Sequence, residues 1–155
     1  MGKKFSLLFV SLLILVITGG PSDALDGFRG FLWGQSLSST GYMKYVGELD
    51  GLRYYVKMND RLSMGGAALD EIKYAFESGR LAGVVISSMG SRNAWLILES
   101  LKETYGTPSK RDANNLYWPI GKGGLFYRFS PHSQRLFVSF LSELATERSS
   151  LGGHW

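Results

Sequence analysis

The sequence predicts an α+β domain, an antiparallel β-meander with one main amphipathic helix packed on a face, and three observations predict it. Ile72, Tyr74 and Phe76 alternate with Lys73 and Ala75, the run breaks at Glu77-Ser78-Gly79, and an apolar stretch through Leu81, Val84 and Ile86 resumes it. That is the pattern of a hairpin. A second hairpin follows near the C-terminus, where Leu125, Tyr127 and Phe129 alternate, residues 130–134 turn, and Leu136, Val138 and Phe140 alternate again. Between the two, residues 92–105 place Ala94, Ile97, Leu98, Leu101 and Tyr105 on one helical face and Arg92, Glu99 and Glu103 on the other. A one-sided helix needs a sheet to lie on, and strands, helix, strands without regular βαβ alternation do not ask for a parallel sheet.

The first 24 residues read as an address label. Met1-Gly2-Lys3-Lys4 is a basic start, residues 5–17 are apolar apart from Ser6 and Ser11, and Gly19, Gly20, Pro21, Ser22 and Ala24 supply a breaker and small residues. This is the layout of a cleaved secretory signal peptide, with Ser22-Asp23-Ala24 as the cleavage motif and Gly20 as another possible site. These thirteen residues would make a helix of about 20 Å, short of the roughly 30 Å of hydrocarbon a membrane anchor must cross. The chain has no cysteine, so neither a lipidated N-terminal cysteine nor a disulfide is available. The expectation is a mature protein that is periplasmic or secreted, with one domain over residues 25–141, a C-terminal tail over 142–155, and membrane contact only through the signal segment before cleavage.

Within the domain, residues 28–34 read as a short aromatic strand ended by a turn, residues 35–41 as one helical turn capped by Ser36, and residues 42–48 as an irregular strand. Tyr54-Tyr55-Val56 favours a strand, Asn59-Asp60 a turn, and residues 62–64 another strand before Gly65-Gly66. On the helix, Trp95 lies at the border of the apolar stripe and Leu96 on its polar side. Gly106 and Pro108 end the helix. Leu116 to Ile120 is a strand whose Pro119 suits an edge or a bulge. The hairpins share the spacing Ile72-x-Tyr74-x-Phe76 … Arg80-Leu81 and Leu125-x-Tyr127-x-Phe129 … Arg135-Leu136, which fits either an internal duplication or convergence on amphipathic aromatic hairpins.

Charge and composition exclude more than they assign. The net charge is +4, and removal of residues 1–24 takes away Lys3, Lys4 and Asp23 and leaves +3. The basic residues are scattered, so nucleic acid is not an expected partner. The only histidines are His132, beside Pro131 in a turn, and His154, next to the last residue; neither is placed as a base for a nucleophile. No ligand spacing for zinc or calcium occurs, and the Gly-rich stretches at Gly65-Gly66 and Gly121–Gly124 lack the ending of a phosphate-binding loop. No cofactor, metal or catalytic residue is therefore expected. The enzymatic alternative is an envelope hydrolase using dispersed carboxylates such as Glu48, Asp50, Asp70 and Glu71.

The distinctive feature is the aromatic load: four tryptophans, eight tyrosines and nine phenylalanines. Neighbours such as Tyr117-Trp118 and Phe126-Tyr127 must point to opposite sides of a strand, so one member of each pair faces out or meets a covering element. Trp118, Tyr117 and Arg128 are accordingly the candidate ligand-binding residues, for a protein, peptide or saccharide partner of the cell envelope. Trp118 carries both readings, ligand platform and core residue.

The motifs Phe28-Arg29-Gly30-x-x-Trp33-Gly34, Gly65-Gly66-Ala67-x-Leu69-x-x-Ile72-x-Tyr74-x-Phe76, Gly79-Arg80-Leu81 and Tyr105-Gly106-x-Pro108 followed by Tyr117-Trp118 resemble a family of small exported bacterial proteins of unknown function. The resemblance spans about residues 27–140. It implies this fold and export, and transfers no activity. A fainter likeness is to the small lipoprotein subunit of the outer-membrane barrel assembly machinery, which also ends a helix at Gly-x-Pro before an aromatic strand, but this chain lacks that subunit's lipidated cysteine. The expected function is that of an exported, non-enzymatic binding or accessory module.

Overall fold

A computed structural model describes residues 26–145. The strands are β1 (Gly27–Phe28), β2 (Phe31–Leu32), β3 (Met43–Leu49), β4 (Leu52–Lys57), β5 (Ser63–Met64), β6 (Ala67–Ala68), β7 (Glu71–Glu77), β8 (Arg80–Met89), β9 (Ser109–Asp112), β10 (Asn115–Ile120), β11 (Gly123–Ser130) and β12 (Arg135–Leu141); the helix α1 is Ser91–Tyr105. Eight strands form one antiparallel sheet in the order β3-β4-β7-β8-β12-β11-β10-β9, and α1 packs against it. Each half runs inward from an edge. The first ends on β8 and the second on β12, and these two pair at the centre.

The predicted hairpins are that centre. Ser78 and Gly79 both take positive φ, 47° and 76°, the conformation that lets a two-residue turn follow the twist of its strands. Gly79 occupies the position where a side chain would be strained. Along the sheet, Tyr74, Val84, Phe140, Leu125 and Trp118 lie side by side in one rung, and Ile72, Ile86, Val138, Tyr127 and Leu116 in the next. All ten are buried. Ala94, Ile97 and Leu101 of α1 close over them, with Leu98 and Tyr105 partly buried as the helical period requires. Trp95 stays 59% exposed, while Leu96 packs partly against the core. Burial of this apolar surface is the main term holding the fold, at about 25 cal/mol per Å².

The ends of α1 are tied to the strands. The amide of Ser91 donates to Oε1 of Gln134 at 3.1 Å, and the amide of Gly90 to the carbonyl of Gln134 at 2.8 Å, so the loop between β11 and β12 satisfies donors that a helix start leaves open. At the other end the Trp118 indole donates to the carbonyl of Gly106 at 2.8 Å.

Several expectations are corrected in detail. In place of one strand over residues 28–34, Gly27–Phe28 and Phe31–Leu32 form two two-residue strands, because Arg29 and Gly30, both at positive φ, turn the chain between them. Residues 37–39 are a 3₁₀ turn, and Ser36 makes no capping hydrogen bond to it. The strand with Pro119 is not the edge: β9, a polar strand the alternation does not reveal, lies outside it. β9 pairs only as far as Tyr117, so Pro119 falls past the end of that ladder. Of the expected tail, Ser142 and Ala145 are buried, and residues 143–145 form a helical turn. Residues 1–24, the expected signal peptide, and residues 146–155 lie outside the described residues.

Candidate functional site

Side chains alternate across a strand, so the residues between the core positions form a second face of the sheet. At one end of it Ala75 and Ala82 are covered by Leu52, Tyr54, Leu141 and Ala145. Ser142 fixes this cover, donating both its amide, at 2.9 Å, and its hydroxyl, at 2.7 Å, to the carbonyl of Ala82. Away from that end, no helix among the described residues lies on the face. We call this the open face.

Its rungs follow from the register. One holds Lys73, Val85, Ser139, Phe126 and Tyr117; the next holds Glu71, Ser87, Phe137, Arg128 and Asn115. The Tyr117 and Phe126 rings lie 4.8 Å apart at 35°. They lean over Gly124, where a Cβ would come within 2.6 Å of the Tyr117 ring and 3.1 Å of the Phe126 ring. A glycine at this position is what lets the two rings settle onto the sheet. Beside them Phe137 is 42% exposed and lies directly opposite Arg128, itself exposed. In the rung beyond, Arg135 lies opposite Met89, which is 47% exposed.

The three predicted site residues therefore divide. Tyr117 and Arg128 share the open face. Trp118 points to the other side, only 2% exposed, with its indole N–H spent on Gly106; it can offer no ring to a ligand, and the binding role assigned to it is corrected to a core role. Arg135 was read from the sequence, with Arg128, as a neighbour of exposed aromatics; Phe137 and Met89 were not singled out. Their alternation with Leu136, Val138 and Ser88 marks them as outward-facing, but which other outward residues they meet depends on the β8-β12-β11 register.

One polar cluster outside this face is engaged in structure. Arg29 reaches Asp60 at 3.4 Å and the carbonyls of Arg61 and Ser63, and the Tyr74 hydroxyl donates to Asp60 at 2.6 Å. Burial, then the bond to Asp60, push the Tyr74 phenol well above its ordinary pKa. This cluster pins the β1–β2 turn to the β4–β5 loop. A cleft of about 360 Å³ lies at the covered end of the sheet, walled by Trp33, Ile120, Phe140 and Leu144 and flanked by the Lys122–Glu143 ion pair at 2.8 Å. Such a volume is at the small end of ligand pockets, and no predicted site residue lines it.

The four carboxylates of the hydrolase alternative are spread out. Glu48 is held by Arg53 at 3.2 Å, which raises the Arg53 pKa, and Glu71 pairs with Lys73 at 2.9 Å. Arg53 lies opposite Phe76, five residues along β7 from Glu71, so the Glu48 end and the Glu71 end are separated by roughly 16 Å of strand. No group of three His, Cys, Asp or Glu side chains able to hold a metal occurs among the described residues, and His132 is exposed in its loop. Comparison of the chain with protein-family models, with curated proteins and with solved structures finds no match.

Proposed function

We propose that the chain is an exported, non-enzymatic binding or accessory module, related to the small exported bacterial proteins its motifs resemble, and that it engages its partner through the open face. The observation that carries this is the exposed row of Phe137 and Arg128 beside the stacked Tyr117 and Phe126. Aromatic rings and arginine, side by side and outward-facing, are the composition of recognition surfaces. Support also comes from the separation of the candidate carboxylates. Export rests on the reading of residues 1–24.

The test is position-specific photocrosslinking in the cell envelope. A crosslinking residue at Phe137 or Ser139 is expected to capture a partner, and one at Glu103, on the exposed side of α1, is expected to capture none. Capture from Glu103 alone would overturn the assignment of the face.

A further inference from the structure

We propose that the part of the open face bearing Met89, Phe137, Arg128 and Arg135 docks on an anionic lipid bilayer. The inference rests on the binding reading of that face and names the partner. Arg135 lies opposite Met89, and Arg128 opposite Phe137. Two guanidiniums thus alternate with two apolar side chains across β8, β12 and β11, within a patch about 10 Å wide at the strand spacing. All four are exposed.

Glu71 and Asp112, in line with the Phe137–Arg128 rung, make no ion pair with the guanidiniums of this patch, although Asp112 keeps its negative charge two strands from Arg128. Glu71, two strands from Phe137 in the same rung, is paired with Lys73 at 2.9 Å. Asp112 accepts from the Asn114 amide at 2.8 Å and from the Asn115 side chain at 2.9 and 2.7 Å. Neither reaches Arg128 or Arg135. A small soluble anion would want these guanidiniums held convergently by buried partners, whereas here they stand at the surface beside hydrophobic tips. That arrangement matches a negatively charged headgroup layer over acyl chains, where arginine stays at the headgroups and a phenylalanine or methionine enters just below.

The experiment is cosedimentation of the mature chain, residues 25–155, with vesicles of roughly equal parts phosphatidylglycerol and phosphatidylcholine, and with vesicles of phosphatidylcholine alone. Binding is expected only to the first, weakening as salt rises. Reversing both charges, Arg128→Glu with Arg135→Glu, should lower the partition coefficient by about tenfold or more, since each basic residue at an anionic surface contributes roughly a factor of five. Phe137→Ser should lower it several-fold. Arg53→Glu with Lys102→Glu, the same change in net charge on residues outside the patch, should lower it less than twofold. Circular dichroism checks that each variant is folded. No partition to the anionic vesicles, equal partition to both vesicle types, or equal loss in both double variants would each overturn the proposal. The crosslinking result at Phe137 and Ser139 decides the broader binding reading independently, because a protein captured there without vesicle binding would keep the face and remove the lipid.

Discussion

Along the rung Tyr74-Val84-Phe140-Leu125-Trp118, the side under α1, every residue is large and no more than 3% exposed. One residue further along the same strands, on the other side, the rung reads Ala75-Gly83-Leu141-Gly124-Pro119. The same backbone ladder serves both. The covered side fills the gap between helix and sheet with branched and aromatic volume; the other side has small residues where Ala145 or neighbouring rings press close, and aromatic and charged residues farther out. Packing and exposure are thus separated by strand alternation, so substitutions on opposite sides of one strand should differ in what they cost in stability.

The largest expected effect applies to the covered side as a whole. Burial pushes the phenols of Tyr105 and Tyr127 up to about 12, against an unfolded value of about 10. A group whose folded pKa is raised contributes stability that is fully present below its unfolded pKa and is lost as pH rises through the folded one. Unfolding followed by circular dichroism should therefore leave stability unaffected by these phenols below about pH 10 and show it falling between about pH 10 and 12. Tyr127→Phe should flatten part of that fall. A stability profile level through pH 12 would show that these rings are not buried as described.

Next in size is Trp118→Ala, expected to cost about 3–5 kcal/mol in urea unfolding, because it empties the end of the core rung and removes the donor to Gly106. Tyr117→Ala, its neighbour on the open side, should cost only about 0.5–1.5 kcal/mol, the worth of an aromatic pair and part of its burial. Equal losses would contradict the separation of the faces. On the helix, Leu101→Ala should cost about 2–5 kcal/mol, and Glu103→Ala, two residues on and exposed, less than about 0.5.

Trp118 also shows how far the sequence could be read. The hairpins, the helix and its buried stripe were legible because each is a local period, 2.0 or 3.6, repeated long enough to stand out. That Tyr117 and Trp118 face opposite ways followed from the same period; which of them faced inward did not. Pro119 suggested an edge strand, and β9 was invisible because Ser109-Lys110-Arg111-Asp112 has no apolar alternation. The two-residue strands β1, β2, β5 and β6 are too short to carry a period, so residues 28–34 and 62–64 showed a strand only through their apolar residues and neighbouring glycines, and β6 showed none. The open face was legible least of all. Phe137 and Arg128 are nine positions apart, and Met89 enters beside Arg135 from the other half of the chain, so the patch exists only once the central β8–β12 pairing is formed.

The smallest expected effect is the most discriminating. Phe137 is a large ring on a central strand, flanked by Ser87 and Arg128, where a residue of this size would ordinarily be buried. If the open face is a surface in the working protein, Phe137→Ser removes a half-exposed ring and leaves a β-compatible polar residue, so the change in unfolding free energy should stay within about 0.5 kcal/mol. Leu136→Ser, one position away and fully buried on the covered side, should cost several times more, since it leaves a cavity and a hydroxyl without a partner among apolar neighbours. Equilibrium urea unfolding of the two variants side by side, each against the parent, measures the contrast between the faces at adjacent residues of one strand. A loss for Phe137→Ser comparable to that for Leu136→Ser would mean that the ring is packed beneath another part of the chain, and the open face would have to be counted as a second core.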